Sequence, residues 1–479
     1  MNKIQYIFVI VIAVFALSFF YNKGFSAADE GYILHAAQRL HNGEIPYRDF
    51  NFIYTPGSLF AISATFSILG ESILSGKLLV VIIAIITSLL FYLTANKLSN
   101  SKTISTLSVL AYLSWTPSHI NFPFPVVFCI FTGVASLFTF LKILEKPKKL
   151  YYLALGLCVA LTFFFKQNFG IALFMEYAIL FFIYRQLRKK EIFLFFVSFF
   201  SGIFTFYLYL FFTKSINSFF SYSSYAFQEY FVKHSVIAPF PYDPSTPIAS
   251  LLKMIVYLSP LLLSISVIIY SLHKKNKIQY TAAAAFVGFY YLVGIYPSTD
   301  YVHISPLLSL LGLLFAILLQ TKNIKLVAII YILFLITIIA GFYTALFKGF
   351  YKWDAPIIQQ AYYLDHPRMK IWSSKNEFVN LISYIQGNTS KDDYIYFYLF
   401  EPIFYFASDR KNPIAYLDSF LPNEKLQAEY VYSIKNKNTK LIISGVSSDK
   451  WSNSYLSNYI LTNYVPSATI SGYTVWNKK

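Results

Sequence analysis

The apolar residues of this chain come in long runs rather than in alternation. Stretches rich in Ile, Leu, Phe, Val and Tyr recur almost to residue 347, each near the roughly 20 residues a helix needs to cross about 30 Å of hydrocarbon. They predict spans near 4–21, 73–95, 103–116, 125–144, 150–165, 169–184, 192–213, 250–271, 279–296, 304–320 and 324–347. Two other apolar stretches are shorter. Residues 56–69 are followed by Gly70-Glu71-Ser72 and read as a helix lying on the membrane surface. In 32–42, Tyr32, Leu34, Ala36, Ala37 and Leu40 fall on one helical face, with His35, Gln38, Arg39 and His41 elsewhere. That pair of helices, flanking a Pro-rich loop, would form a lid over a lipid-facing cleft.

From about residue 348 the pattern changes: charges, Asn and Ser return and apolar runs shorten. The segment reads as helices at 376–386, 401–407 and 424–434, with strands at 394–400, 441–444 and 473–476. The fold class is therefore mainly α, a polytopic membrane protein with about eleven transmembrane helices in 1–347 and a small α/β domain in 348–479. That domain carries no Gly-rich phosphate loop and no metal-spaced His or Cys cluster, so it reads as a docking or acceptor-shaping cap.

Composition agrees. With 57% hydrophobic and 13% charged residues the chain excludes a water-soluble class. The net charge of +17 follows from sidedness, because Lys and Arg collect in short cytoplasmic loops. One set of loops holds Lys3, Lys97, Lys102, Lys142, Lys146, Lys148, Lys149, Arg185, Arg188, Lys189, Lys190, Lys274, Lys275, Lys277, Lys322 and Lys325. The other holds Asp29, Glu30, Glu44, Asp49, Glu71, Glu229, Asp243 and Asp300. No basic stripe with interleaved aromatics lies on a soluble face, which sets nucleic acid aside as a partner. The rule places the N-terminus in the cytoplasm, and the loops 22–72 and 214–249 and the tail from 348 outside, in a multi-pass protein of the cytoplasmic membrane. The first span also competes with a signal-peptide reading, since Lys3 precedes it and Ser26-Ala27-Ala28 resembles a cleavage site, but its apolar run is long for one. Cys129 and Cys158 both fall in apolar spans, so the tail has no disulfide framework.

Candidate chemistry concentrates in the outward loops. Asp29 and Glu30 follow the first span, and the stretch runs on through Pro46-Tyr47-Arg48-Asp49-Phe50 to Tyr54-Thr55-Pro56-Gly57. A carboxylate at a membrane surface, in a loop ordered by Pro, Gly and aromatics, suggests general-base chemistry on something lipid-borne. Phe165-Lys166-Gln167-Asn168 sets polar residues between two apolar runs, where Lys166 either faces a cavity or snorkels to the interface. Tyr296 to Pro306 is a short turn carrying Asp300 and His303; Asp300 could orient His303, pair with Lys166 or cap the next helix. Lys233-His234 and Tyr242-Asp243-Pro244 read as solvated loop.

These residues resemble the GT-C superfamily of integral-membrane glycosyltransferases, most of all the bacterial family-39-like branch related to protein O-mannosyltransferases and aminoarabinose transferases. The resemblance rests on Ala28-Asp29-Glu30 with the following Pro-Tyr-Arg-Asp-Phe and Tyr-Thr-Pro-Gly pieces, on Phe165-Lys166-Gln167, and on Pro297 to Pro306. It implies transfer of a sugar, with inversion, from a polyprenyl-phosphate donor to a glycan, lipid or protein acceptor at the outer face. Asp29 and Glu30 would be the catalytic acids, Asp29 as general base and Glu30 positioning the acceptor or Arg48. Lys166, Gln167, Arg48, His303 and Asp300 would bind the lipid phosphate and donor, and Asp49 and Tyr54 would shape the loop or meet the acceptor. Relatives often carry an arginine ahead of the later Asp where this chain has Pro297-Ser298-Thr299, which ranks Lys166 above His303 as the cation on the leaving group. Two carboxylates could hold Mg²⁺ or Mn²⁺, but the branch resembled is largely metal-independent, so no metal or other cofactor is expected.

Two rival classes have sequence signatures of their own. A transporter or flippase would show ionisable residues near the midplane and interrupted helices in matching halves. A ligase or polymerase using a lipid-diphosphate donor would favour several arginines in one outward loop, and 214–249 contains none.

Overall fold

In the computed structural model the described residues are 3–184, 190–228, 247–273, 277–295, 301–348, 356–398, 401–415, 424–445 and 454–479. The chain enters through α1 (Lys3–Ser18), then α2 (Asp29–His41) and α3 (Gly57–Leu69). A run of long helices follows: α4 (Ile73–Ser99), α5 (Lys102–Trp115), α6 (Pro125–Glu145), α7 (Lys149–Phe165), α8 (Gln167–Ile183) and α9 (Ile192–Phe212). After the short α10 (Ile216–Ala226) come α11 (Pro247–His273), α12 (Ile278–Gly294), α13 (Tyr301–Leu308), α14 (Leu311–Leu318) and α15 (Ile324–Tyr343). Their starts follow local chemistry. Ser72, Ser101 and Asn323 cap α4, α5 and α15, each accepting a hydrogen bond from the backbone N–H three residues on, at 3.0, 3.4 and 3.2 Å, and α6 opens on Pro125, where no N–H is needed.

The chain is a multi-pass membrane protein. Among the described residues, Ile73–Ser99, Pro125–Glu145, Ile192–Phe212, Met254–Leu272 and Ile324–Lys348 are long and apolar enough to cross a bilayer; six further apolar helices are shorter. The stretch expected as one span at 304–320 is broken into α13 and α14, with Pro306 inside α13.

Contacts between helix ends define two faces of the bundle. At one, Lys97 and Lys142 pair with Glu145, and Tyr184, just past the end of α8, meets Thr281 of α12 at 3.2 Å. At the other, Asn121, between α5 and α6, donates to the carbonyls of Phe20 and Lys23 at 2.8 and 2.7 Å. There too, Asn168 at the start of α8 donates to the carbonyl of Val293 near the end of α12 at 3.2 Å. The loop carrying Asp29 lies at this second face.

The C-terminal elements are a hairpin of β1 (Tyr362–Leu364) and β2 (Ile371–Ser373), then α16 (Glu377–Asn388), β3 (Ile395–Tyr398), α17 (Ile403–Ser408), α18 (Glu424–Asn436), β4 (Leu441–Ser444), α19 (Tyr455–Asn463), β5 (Tyr464–Ile470) and β6 (Tyr473–Lys478). The sheet runs β3-β4-β6-β5, with β3 and β4 parallel and the other pairs antiparallel. Its two faces have different partners. Ile395, Phe397, Leu441, Ile443 and Val475 join the same continuous core as the transmembrane helices. Tyr396, Ile442 and Trp476, one residue out of phase, pack with Tyr430, Ile434, Leu456 and Ile460 of α18 and α19. The α19 and β5 pair went unpredicted. Pro466 is tolerated in β5 because that strand is the sheet edge, with a register shift at Pro466/Ala468.

α3 keeps an exposed apolar side at Phe60, Ile68 and Leu69, as a surface helix should. α2 does not: Glu30 through Arg39 are all buried. The expected surface helix is instead held between α3 and the C-terminal elements, because its polar face finds partners there. The His35 ring stacks on Tyr405 at 5.0 Å, Gln38 donates to Asp409 at 3.0 Å, and Arg39 donates to the carbonyl of Ile414 at 3.1 Å.

Candidate active site

Asp29 occupies the first turn of α2 and is half-buried. Ser26 fixes that turn: its hydroxyl accepts from the Asp29 N–H at 3.0 Å and its carbonyl from the Gly31 N–H at 3.1 Å. A carboxylate here sits on the positive end of the helix dipole. Across the turn, the Ile403 N–H donates to the carbonyl of Ala27 at 3.2 Å, so α17 abuts the residues that carry Asp29. A Cβ on Gly31 would strike the Ile403 backbone, which is why this position is glycine.

Glu30 faces the interior. It is fully buried, forms an ion pair with Lys77 of α4 at 3.3 Å, and accepts from the Ser26 N–H at 3.3 Å. It does not meet Arg48. That guanidinium is clamped by its neighbour Asp49 at 2.9 and 2.8 Å and stays largely exposed, and the pairing lowers the Asp49 carboxyl below its usual range. Asp49 also accepts from the Ile45 N–H at 2.8 Å, while its carbonyl accepts from Arg39. It therefore shapes the loop. Tyr47 between them adopts φ +68°, a left-handed conformation uncommon for a bulky residue, stabilised by its hydroxyl donating to the carbonyl of Tyr54 at 2.5 Å.

Lys166 breaks the chain between α7 and α8 with an extended backbone, φ −155° and ψ 112°. Its ammonium, 8% exposed as a residue, lies over the rings of Tyr54, Phe124 and Phe169 at 5.3, 6.0 and 5.2 Å. Three rings around one ammonium hold it by cation–π attraction without neutralising it. The next residue, Gln167, braces the first loop: its side chain accepts from the Thr55 N–H and donates to the Ile53 carbonyl, both at 3.2 Å.

Ile53 is the junction. Its N–H donates to the hydroxyl of Tyr32, three residues after Asp29, at 2.8 Å, and its carbonyl is held by Gln167. The turn bearing the carboxylate and the turn bearing the caged ammonium are thus fastened to the same loop residue. His303 lies in the first turn of α13 and is half-buried. Asp300, Lys233, His234, Tyr242 and Asp243 lie outside the described residues. Among the described residues no three His, Cys, Asp or Glu side chains gather as a metal site.

Two buried ionisable residues escape the sequence pattern. Lys77, in the second predicted span, and Glu176, in the sixth, are each the one ionisable Lys, Arg, Asp or Glu of their span, which a hydropathy window averages away. Both carboxylate oxygens of Glu176 lack a hydrogen-bond partner among the described residues.

Comparison of the sequence with family models and with curated proteins returns no match. Solved structures do match. The chain is similar to ArnT from Cupriavidus metallidurans in the apo state, with TM-score 0.57 at 11% identity over 98% of this chain and 97% of that one. It is similar also to the same organism's ArnT bound to undecaprenyl phosphate, with TM-score 0.61 at 9% identity over 99% and 98%. At that identity the likeness shows the fold. It is the fold expected from the resemblance to GT-C transferases, and it extends over the C-terminal elements as well as the helices.

Proposed function

We propose that the chain is an inverting glycosyltransferase that moves a sugar from a polyprenyl-phosphate donor to an acceptor hydroxyl at the outer face of the cytoplasmic membrane. The observation that carries this is the fastening of the Asp29 turn and the Lys166 turn to Ile53. An alcohol is a weak nucleophile and a prenyl phosphate leaves as an anion, so the reaction needs a base and a cation held at fixed separation. The acceptor oxygen bonds to the anomeric carbon from one side as the bond to the phosphate oxygen breaks on the other. Asp29 takes the hydroxyl proton, and Lys166 receives the charge on the departing phosphate. Arg48, His303 and Asp300 are candidates for further donor contacts, Gln167 holds the loop, and Asp49 and Tyr54 shape it. ArnT, whose fold this is, has been crystallised with undecaprenyl phosphate, which supports the choice of donor.

The test is Asp29→Asn. Since a positioned base contributes about 10²- to 10⁴-fold, the variant should insert and purify normally but lose the glycan that distinguishes wild-type cells from a deletion strain, read by mass spectrometry of the cell envelope. Wild-type product from Asp29→Asn would overturn the assignment.

A further inference from the structure

Glu30 stands beside the proposed base yet cannot share its work, since its side chain is sealed inside the protein on Lys77. Lys77 is itself fully buried in the first turns of α4, and its ammonium donates to Asn121 at 2.8 Å. Asn121 in turn donates to the carbonyls of Phe20 and Lys23, where α1 ends. At the other end of this chain of contacts, Glu30 accepts from the N–H of Ser26, the residue whose hydroxyl and carbonyl hold the N–H groups of Asp29 and Gly31. The path Asn121, Lys77, Glu30, Ser26 therefore ties the Asp29 turn to α1, to α4 and to the loop before α6.

Resting on the reading of Asp29 as the base, we infer that Glu30, Lys77 and Asn121 are positioning residues that set the place of the Asp29 carboxylate without touching substrate. A buried ion pair is a poor way to gain stability, because desolvating two charges offsets their attraction. What it supplies is a defined geometry, since a shifted turn would pull the two buried charges apart. Glu30 and Asp29, adjacent in sequence, divide the labour: Glu30 is fully buried on Lys77, while Asp29 is half-buried.

The test uses the full chain in detergent with Glu30→Gln, Lys77→Met, the two combined, and Asp29→Asn as reference. Amide hydrogen exchange over residues 26–32 and undecaprenyl phosphate binding are read alongside the cell-envelope product. Each single change removes one charge of the buried pair, so exchange at the turn should rise and product fall by about 10- to 100-fold, the scale of a small misplacement of a reacting group, while bound undecaprenyl phosphate per folded molecule stays at the wild-type value. The combined variant, with both charges gone and shape kept, should recover most of the exchange protection and the product. A combined variant that folds but stays as inactive as Glu30→Gln would overturn the inference by making Glu30 a direct participant. So would single variants with wild-type exchange and product, or a combined variant that fails to fold. Product retained by Asp29→Asn would instead remove the reading on which the inference rests, whatever the pair does.

Discussion

Lys166 shows how a cationic side chain can be seated in an apolar setting, with three aromatic rings around its ammonium. Rings of Tyr54, Phe124 and Phe169 surround it, and an arriving phosphate would accept a charge-assisted hydrogen bond from that ammonium. Replacing it with Ala should weaken undecaprenyl phosphate binding by about 1.5–3 kcal/mol, roughly 10- to 100-fold, with little change in thermal stability. Titration of the purified variant checks this, and unchanged affinity would move the phosphate site elsewhere. Glu176 is the opposite case, a buried carboxyl with no hydrogen-bond partner among the described residues. Glu176→Leu should raise stability by about 1–3 kcal/mol, seen as a higher melting temperature in detergent. Asp29 and Lys166 were legible in the sequence because each interrupts or borders an apolar run. Lys77 was not, because its meaning lies in Glu30 and Asn121, both more than forty positions away.

At the scale of elements, the helices of the bundle were legible and the seat of α2 was not. Apolar runs and Ser or Asn caps give a span its bounds locally, whereas His35, Gln38 and Arg39 look like a solvated face until Tyr405, Asp409 and Ile414 cover them. This covering makes α2 sensitive to its C-terminal partner. Gly31→Val would push a side chain into the Ile403 backbone and should cost about 1–3 kcal/mol, releasing the C-terminal elements to limited proteolysis before the helices unfold.

That interface, and the C-terminal elements behind it, should respond to pH. Burial, helped by the Arg39 charge, lowers His35 from 6.5 to about 3, so the stability gained from a neutral ring is present above 6.5 and is lost as pH falls from there towards 3. Burial raises Glu401 from 4.5 to about 7, where it accepts a hydrogen bond from Tyr473 at 3.0 Å. Its contribution runs the other way, full below 4.5 and lost as pH rises through 7. Glu401→Gln keeps the acceptor and removes the titration, so its melting temperature should gain on wild type steadily between pH 4.5 and 7; a constant offset would show that Glu401 does not titrate there.

Across the whole molecule, the ends of the long helices sort into two faces. Lys97, Lys142 and Glu145 meet where α4 and α6 end, while Glu30, Asn121, Asn168 and the first loop meet where α4, α6 and α8 begin. If Lys-rich loops stay in the cytoplasm, the face bearing Asp29 and the α17 packed on α2 is extracytoplasmic, as transfer from a prenyl-linked donor to an envelope acceptor requires. Cysteine labelling in intact cells decides it. Cys129 is buried and Cys158 lies within α7, so the native background is low. Asn42→Cys in the first loop and Asn388→Cys at the end of α16, both exposed, should react with a membrane-impermeant maleimide. Lys148→Cys, exposed between α6 and α7, should react only after the membrane is permeabilised. Labelling of Lys148→Cys but not Asn42→Cys in intact cells would put the proposed base in the cytoplasm, opposite to where the reaction has been placed. Labelling of Asn42→Cys without Asn388→Cys would contradict the packing of α2 against the C-terminal elements, since a membrane cannot lie between residues that share one core.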